Sequence, residues 1–222
     1  MDFSAPLKTY LAENTIITFA PALTAEERQD AMSLLLQARL FASNLLDSRI
    51  HWKSWMDRYR NRLEKHGCKL LSLITEPPRV IHSADELQGI AATVVGQVGD
   101  TELAEMVEHA IGRVRESGYA GRFFSKGENG GAFSEFVAVP CEKNQAGDIL
   151  LVVFAVNIGL SVDVRDFDFW TETRRDMVVH VVGGLYRFER DTYAQYREAI
   201  STYIAESAKT RIRKLSITPK AR

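Results

Sequence analysis

The residues of this chain that could support nucleophilic catalysis are a cysteine and two histidines. Cys141 is a candidate nucleophile, with His109 or His180 as its base. A thiolate forms readily only beside a positive or hydrogen-bonding group, and here Lys143 is opposed by Glu142. His180 lies between valines, a context typical of a hydrogen-bonded core histidine. Cys141 and His180 therefore stay candidate catalytic residues, while a core thiol and a core histidine are the favoured interpretations.

A second group of residues could contact an anionic surface. Arginines, lysines and tryptophans recur between residues 49 and 62, a mixture that suits a nucleic acid or an anionic membrane. Trp52, Met56 and Tyr59 also recur at core spacing, so a packed stripe with a solvated basic flank is the favoured interpretation. Residues 207–222 carry six basic side chains and no acidic one, which suits lipid headgroups or the end of a helix. The candidates for a membrane or polyanion surface are Arg49, Trp52, Trp55, Arg58, Arg62, Lys209, Arg211, Arg213 and Lys214.

The glycine-rich segment 126–131 could bind a phosphate through its backbone. It lacks the spacing of a P-loop and the GxGxxG pattern, and it leads into a strand, whereas phosphate loops usually open a helix. Lys126 and Asn129 are its candidate ligand residues, and a connecting loop is the favoured interpretation. The five histidines form no HxH or HExxH pattern and there are two cysteines, so the sequence predicts no metal site and no cofactor.

Length, composition and charge exclude several classes of protein. The 222 residues include 28 basic and 29 acidic ones, and the net charge of −1 argues against nucleic acid as a partner. Hydrophobic residues make up 45%, enough for a buried core without disulfides. The first ten residues show no secretory signal, and the most apolar run, 149–156, is about half as long as a membrane span. We therefore expect a soluble protein with free thiols, either cytoplasmic or released by a route independent of a signal peptide.

The first half of the chain has helical periodicity. A capping box begins at Thr24, and apolar residues then recur at helical spacing as far as Gly67, with a break expected near 47–48. Gly67 is expected to end this helical region. A second capping box at Ser83 begins a helical hairpin that ends at Gly118.

The second half of the chain has the pattern of a β-sheet. Strands are predicted at 133–139, 149–164 and 177–188, and the apolar run within the second indicates burial on both faces at its start. Pro140 is expected to end the first strand, and Asp191 to cap a final helix. Helices followed by consecutive strands predict an α+β fold. In this fold an antiparallel β-sheet with long strands from the C-terminal half is covered by helical hairpins from the N-terminal half and by a C-terminal helix.

The sequence contains no internal repeat and no linker rich in Pro, Gly or Ser. We therefore expect a single domain over residues 1–222. Its ends are expected to differ from the rest, with an irregular arm at 1–23 that holds a short β-like run, and a basic tail at 207–222.

Residues 118–188 carry strands and turns in a particular order and spacing. The segments concerned are the strand 133–139, the turn 141–147, the long strand 149–164 and the extended pieces 167–173 and 177–188. In this pattern the chain resembles the Cyt-type δ-endotoxins, a family of single-domain membrane-lytic proteins. The resemblance implies an antiparallel sheet sheathed by helix pairs, and a water-soluble form that rearranges on lipid. It transfers no functional residue.

Three functions stay open at the level of the sequence. The favoured one is a non-enzymatic, membrane-interacting protein, cytolysin-like or associated with virulence, whose partner is a lipid membrane. The alternatives are a cytosolic module that binds a protein partner or a small ligand, and a cysteine-dependent enzyme built on Cys141. A monomer and a homo-oligomer both suit the chain.

Overall fold

A computed structural model gives the fold of the chain. It describes residues 6–12, 14–48, 50–116, 124–126, 131–163 and 177–211. The helices are α1 (Ala25–Ser43), α2 (Trp52–Lys65), α3 (Ala84–Val98), α4 (Thr101–Glu116), α5 (Arg190–Ala194) and α6 (Arg197–Arg211). The strands are β1 (Lys8–Ala12), β2 (Thr15–Phe19), β3 (Cys68–Thr75), β4 (Arg79–Ile81), β5 (Phe124–Lys126), β6 (Gly131–Lys143), β7 (Ile149–Asp163) and β8 (Met177–Phe188).

The eight described strands form one sheet in the order β1-β2-β6-β7-β8-β3. Strand β4 pairs with β8 beyond the end of β3, and β5 pairs with β6. The described pairs are antiparallel except β2 with β6, which is parallel. The predicted α+β fold, with long antiparallel strands from the C-terminal half under a helical cover, is thus confirmed, with one parallel pair added.

Strand β7 lies in the middle of the sheet and separates two apolar cores. Its residues Val152 and Phe154 pack toward α3 and α4, whereas Leu151 and Val153 pack toward α1 and α2. Successive side chains of a strand point to opposite faces, so a strand covered on both sides needs apolar residues at nearly every position. The predicted burial of both faces is confirmed, because the side chains from 151 to 158 are all buried.

The helix boundaries follow the local signals in the sequence. In the capping box, the backbone N–H of Thr24 donates to Oε2 of Glu27 at 2.8 Å, and that of Glu27 donates to Oγ1 of Thr24 at 3.2 Å. The predicted break near 47–48 is confirmed, since α1 ends at residue 43 and α2 begins at 52. Gly67 has a φ of +112°, and a Cβ there would lie 2.9 Å from the carbonyl oxygen of Glu189. Glycine is therefore required where the chain turns from α2 into β3.

Two expectations about the sheet were wrong. The arm expected at 1–23 is not irregular, because it contains β1 as well as β2, which coincides with the β-like run at 15–19. All five residues of β2 are buried between β1 and β6. Pro140 does not end β6, which continues to Lys143 with Pro140 placed opposite Thr18 of β2. A proline removes one N–H donor from a strand, and here the residues on both sides of it, Val139 and Cys141, remain paired with β2.

The C-terminal region also differs in detail from the prediction. Asp191 does not cap the final helix, because Glu189 stands at the N-cap of the short α5 and α6 begins at Arg197. The basic tail expected at 207–222 begins inside α6, which extends to Arg211, and its later residues lie outside the described part of the chain. In the described residues, no helix combines the length and the apolarity that crossing a membrane requires.

Candidate functional site

The cysteine and histidine candidates lie far apart in the sheet. Cys141 is fully buried, and burial raises the pKa of its thiol. It pairs with Leu151, whereas His180 pairs with Asn157, so about 20 Å of strand separates them. His109 is exposed on α4, which covers the other face of the sheet. The described structure therefore brings neither histidine to Cys141.

The tryptophans of α2 belong to a stack of rings. The Trp52 and Trp55 rings are 6.2 Å apart and those of Trp55 and Tyr59 are 5.4 Å apart, both nearly parallel. Trp55 is 1% exposed, and its Nε1–H donates to Oγ of Ser43 at 3.1 Å. Trp52 is half-buried. Trp55, a candidate for a membrane surface, is thus a core residue, packed where α2 meets α1.

The basic candidates of α2 divide into exposed and packed side chains. Arg58 is exposed. Arg62 is half-buried, and its guanidinium lies 4.2 Å from the centre of the Phe41 ring. Arg49 lies outside the described residues. Much of this helix therefore serves the packing of α1 against α2.

The other candidates fall at the margins of the described chain. Lys209 and Arg211 belong to the last turn of α6, and Lys126 is the last residue of β5, with no side chain described for any of the three. The candidates outside the described residues are Asn129, Arg213 and Lys214. Among the described residues, no group of three His, Cys, Asp or Glu side chains is placed to hold a metal ion.

A buried carboxylate joins the N-terminal and C-terminal helices on one face of the sheet. Asp30 of α1 is 4% exposed and accepts hydrogen bonds from two arginines. Arg190 donates to it at 2.9 Å, and Arg197 donates at 2.6 Å. Glu26 of α1 also pairs with Arg190, at 2.8 Å. Bidentate arginine–carboxylate pairs fix relative orientation, so this network sets how α6 lies on α1.

Further polar bonds attach this helical layer to the sheet. Nζ of Lys143 in β6 lies 2.7 Å from Oε1 of Glu27 in α1. Nε of Arg60 in α2 donates to the hydroxyl of Tyr186 in β8 at 3.1 Å. The layer formed by α1, α2 and α6 is therefore held by directional bonds in addition to its apolar core.

The α3–α4 hairpin, residues 84–116, meets the opposite face of the sheet through aliphatic side chains. Leu87 and Val94 of α3 and Leu103 and Val107 of α4 are at most 2% exposed. The sheet residues in the same core include Phe136, Ala138, Val152, Phe154, Val156, Ile158, Met177, Val179 and Val181. The interface between the hairpin and the sheet, the seam, is therefore formed mainly by apolar side chains of both.

A pair of acidic side chains connects the tip of the hairpin, residues 99–100, to the end of β6. Asp100 caps α4, since the backbone N–H of Leu103 donates to its Oδ1 at 3.0 Å. Its side chain is also hydrogen-bonded to that of Glu142, which is 2% exposed. Elsewhere on the hairpin, Asp85 and Arg113 have polar or electrostatic partners of their own.

The environment of Glu142 favours its protonated form. Burial is the main cause, and the neighbouring carboxylates of Asp100 and Glu102 add to it, so that the pKa of Glu142 rises to about 8. A groove of about 780 Å³ lies beside the pair, between the start of α4 and the turn after β6. The acidic pair therefore lies where solvent can reach the hairpin tip.

One edge of the sheet exposes apolar side chains next to the start of the hairpin. Val80 of β4 and Val178 of β8 are 55% and 40% exposed and are register partners. They point away from the hairpin, because the adjacent Ile81 and Val179 belong to the hairpin core. Leu73 of β3 is 50% exposed and lies opposite Gly184, about 20 Å farther along β8. Strand β4 leads directly into α3.

No family model and no curated protein matches the chain. Among solved structures it is similar to a delta-endotoxin, with a TM-score of 0.49 and 10% identity over 81% of this chain and 82% of that one. It is also similar to the activated Cyt2Ba monomer from Bacillus thuringiensis subsp. israelensis, with a TM-score of 0.49 and 11% identity over 79% and 97% of the two chains. The Evf virulence factor matches with a TM-score of 0.41 and 11% identity over 89% and 82%. The weak resemblance to Cyt-type δ-endotoxins is confirmed.

The hairpin was predicted from the sequence, but the contact of Asp100 at its tip with Glu142 of the sheet was not. A signal was nevertheless present in β6, where Phe136, Ala138 and Glu142 have the same parity and so face the same core. A carboxyl group on a core face requires a partner or a proton. The partner, Asp100, could not be found because it is distant in sequence.

Proposed function

We propose that this protein is a non-enzymatic membrane-binding protein whose α3–α4 hairpin leaves the sheet on contact with lipid. The observation that carries the proposal is the difference between the two faces of the sheet. On one face, directional bonds such as those of Asp30 and Lys143 attach the helices. On the other face, the hairpin is held mainly by apolar contact and by the acidic pair at its tip.

The medium around the protein decides whether such an apolar seam stays closed. In water, each large aliphatic side chain exposed by opening costs about 1.5–3 kcal/mol, so the closed form is strongly favoured. In a bilayer the hydrocarbon replaces the lost contacts, and the cost of opening largely disappears. The hydrogen bonds and ion pairs of the layer formed by α1, α2 and α6 are not replaced in a bilayer, because lipid tails offer no hydrogen-bonding partners. The hairpin is therefore the layer that lipid can displace.

The exposed pair Val80 and Val178 supports the same proposal. Val80 lies four residues before the first residue of α3, so a membrane that contacts this pair is already close to the start of the hairpin. The finer form of the proposal is a cytolysin-like or virulence-associated activity, in which this binding makes the bilayer leak.

Dye-loaded vesicles test the proposal directly. We expect binding to vesicles of phosphatidylserine and phosphatidylcholine, and release of the dye if the finer form is correct. A fluorophore on Ala104→Cys reports the hairpin, because Ala104 is half-buried at the seam. On binding, this label should be quenched by nitroxide lipids. The native Cys68 and Cys141 are buried and should not take the label.

A label on Met32→Cys is the matched control, because Met32 of α1 is half-buried against the other core. Its fluorescence should stay insensitive to the nitroxide lipids. Equal quenching at both positions would show that the whole fold opens on lipid, and the proposal would be wrong. Absence of binding and leakage, with or without limited proteolysis, would also overturn it.

A further inference from the structure

The contact between Glu142 and Asp100 joins two carboxyl groups, which is stable only if a proton lies between them. Glu142 is 2% exposed, and its Oε1 has no hydrogen-bond partner among the described residues. Asp100 caps α4, is exposed and lines the same groove as Glu142, and the two side chains are in hydrogen-bond contact. Two ionised carboxylates in hydrogen-bond contact would repel each other. The described contact therefore requires one of the two groups to be protonated.

The charged groups around Glu142 do not supply a cation to replace that proton. The acidic side chains of the adjoining groove come from α4, and Lys143, the neighbour of Glu142 in β6, is paired with Glu27. Across the sheet, the register places Leu150 next to Glu142, and then Arg187, whose guanidinium is paired with Glu189 at 3.1 Å. Among the described residues, the charged groups of the groove, of the turn after β6 and of the register positions beside Glu142 are Asp100, Glu102, Glu105, Lys143, Asp148 and Arg187.

We propose that Glu142 and Asp100 share a proton that holds the tip of the α3–α4 hairpin on the sheet, and that loss of this proton loosens the hairpin. The location makes the pair effective, because the tip is the connection between α3 and α4 and lies at the end of the apolar seam. Repulsion there separates the hairpin from β6 at the position where water already reaches. This inference rests on the proposed function, since it gives the pH range in which the hairpin separates most easily from the sheet.

A proton explains the site better than a metal ion does. The described residues contain no group of three acidic, cysteine or histidine side chains placed for a metal. A divalent cation would require both Glu142 and Asp100 to be ionised, and the burial of Glu142 disfavours its charged form.

The direction of the pH dependence follows from the raised pKa of Glu142. The docked hairpin binds the proton more tightly than the released one, in which the carboxyl returns to its ordinary pKa near 4.5. Docking is therefore strongest below that ordinary value and is lost as the pH rises toward about 8. One linked proton changes the docking equilibrium by at most about tenfold per pH unit in this window.

Hydrogen exchange of the full chain without lipid tests the latch. After correction for the intrinsic pH dependence of exchange, protection of the α3–α4 amides should fall about ten- to a hundredfold between pH 6 and pH 8. Glu142→Gln, which is permanently neutral, should abolish this fall. Asp100→Asn should make this fall in protection smaller, because it removes the second carboxyl group of the contact. Asparagine can still cap α4. Having two variants on separate elements keeps the test valid if one of them folds poorly.

Glu105→Gln is the matched control, because Glu105 lines the same groove but does not contribute to the raised pKa of Glu142. It should retain the pH dependence of the wild type. Protection that is independent of pH in the wild type, or that falls equally in Glu142→Gln, overturns the latch. Restoration of protection at pH 8 by calcium chloride would also overturn it, in favour of a metal site. Failure of vesicle binding with a normal pH dependence contradicts only the proposed function.

Discussion

His66 and Glu142 are buried ionisable residues whose protonation has opposite effects. His66 lies at the end of α2, 5% exposed, and its Nδ1–H donates to Oε1 of Gln37 at 3.2 Å. Burial, with the nearby charges of Arg62 and Lys65, lowers its pKa to about 4. The stability that a neutral His66 contributes is complete above its ordinary pKa of 6.5 and is lost as the pH falls toward 4. Acid therefore acts on the α1 side of the sheet, whereas alkali acts on the hairpin side.

Replacing His66 by glutamine should remove part of the acid sensitivity. In the wild type, the difference in pKa predicts that His66 accounts for a loss of about 2 kcal/mol in the free energy of unfolding between pH 7 and pH 5. His66→Gln should show a smaller loss over the same interval, measured by urea unfolding at each pH. His109→Gln is the control, since His109 is exposed and should leave the pH dependence unchanged. Parallel behaviour of His66→Gln and the wild type would contradict this assignment.

At the scale of elements, the position of α6 depends on one carboxylate of α1. Asp30 is the common acceptor of Arg190 and Arg197, which precede and begin α6. The two arginines have no comparable anchor if Asp30 is removed, because Glu26 is 67% exposed. The network therefore couples the two ends of the chain through a single buried group.

Asp30→Ala should destabilise the protein by about 2–3 kcal/mol, since it leaves two arginines beside an apolar core without their buried partner. Glu26→Ala removes an exposed member of the same network, and it should cost less than about 1 kcal/mol. The free energy of unfolding in urea measures both. Equal effects of the two substitutions would mean that burial of Asp30 is not what gives the network its strength.

At the scale of the whole molecule, the sheet separates two helical layers that differ in how they are attached. The α1 layer has an apolar core and ion pairs, and the hairpin layer depends mainly on apolar burial. This asymmetry predicts that the molecule opens in a fixed order. The hairpin is expected to open before α1 and α6, even without lipid.

Hydrogen exchange at low urea concentrations measures this order. Amides of α3 and α4 should exchange through a partial opening of lower free energy than that for α1 and α6 at the same pH. The measurement should be made near pH 6, where both Glu142 and His66 are largely in their native protonation states. A single opening free energy shared by all helices would show that the layers unfold together, and it would contradict the asymmetry.

Local signals in the sequence were sufficient to predict most of the helices and the long strands. The capping box at Thr24, the turn at Gly67 and the apolar run of β7 each act over a few residues, so their structural meaning can be recognised without knowing the fold. The order of helices followed by consecutive strands then predicted the α+β class. The need for glycine at 183 could not be recognised in this way, since β8 pairs continuously there and a side chain at Gly183 would clash with the carbonyl oxygen of Val153 in the neighbouring strand.

The tertiary structure alone decided which side chains meet and which are hidden. Trp55 was a candidate for a membrane surface but is buried, and the β-like run at 15–19 was expected in an irregular arm but is an interior strand of the sheet. The pKa of Glu142 is raised first by burial and then by Asp100, a residue about forty positions earlier in the chain. A sequence determines periodicity and capping because these depend on neighbours along the chain. Burial and electrostatic pairing depend on neighbours in space, which only the folded chain brings together.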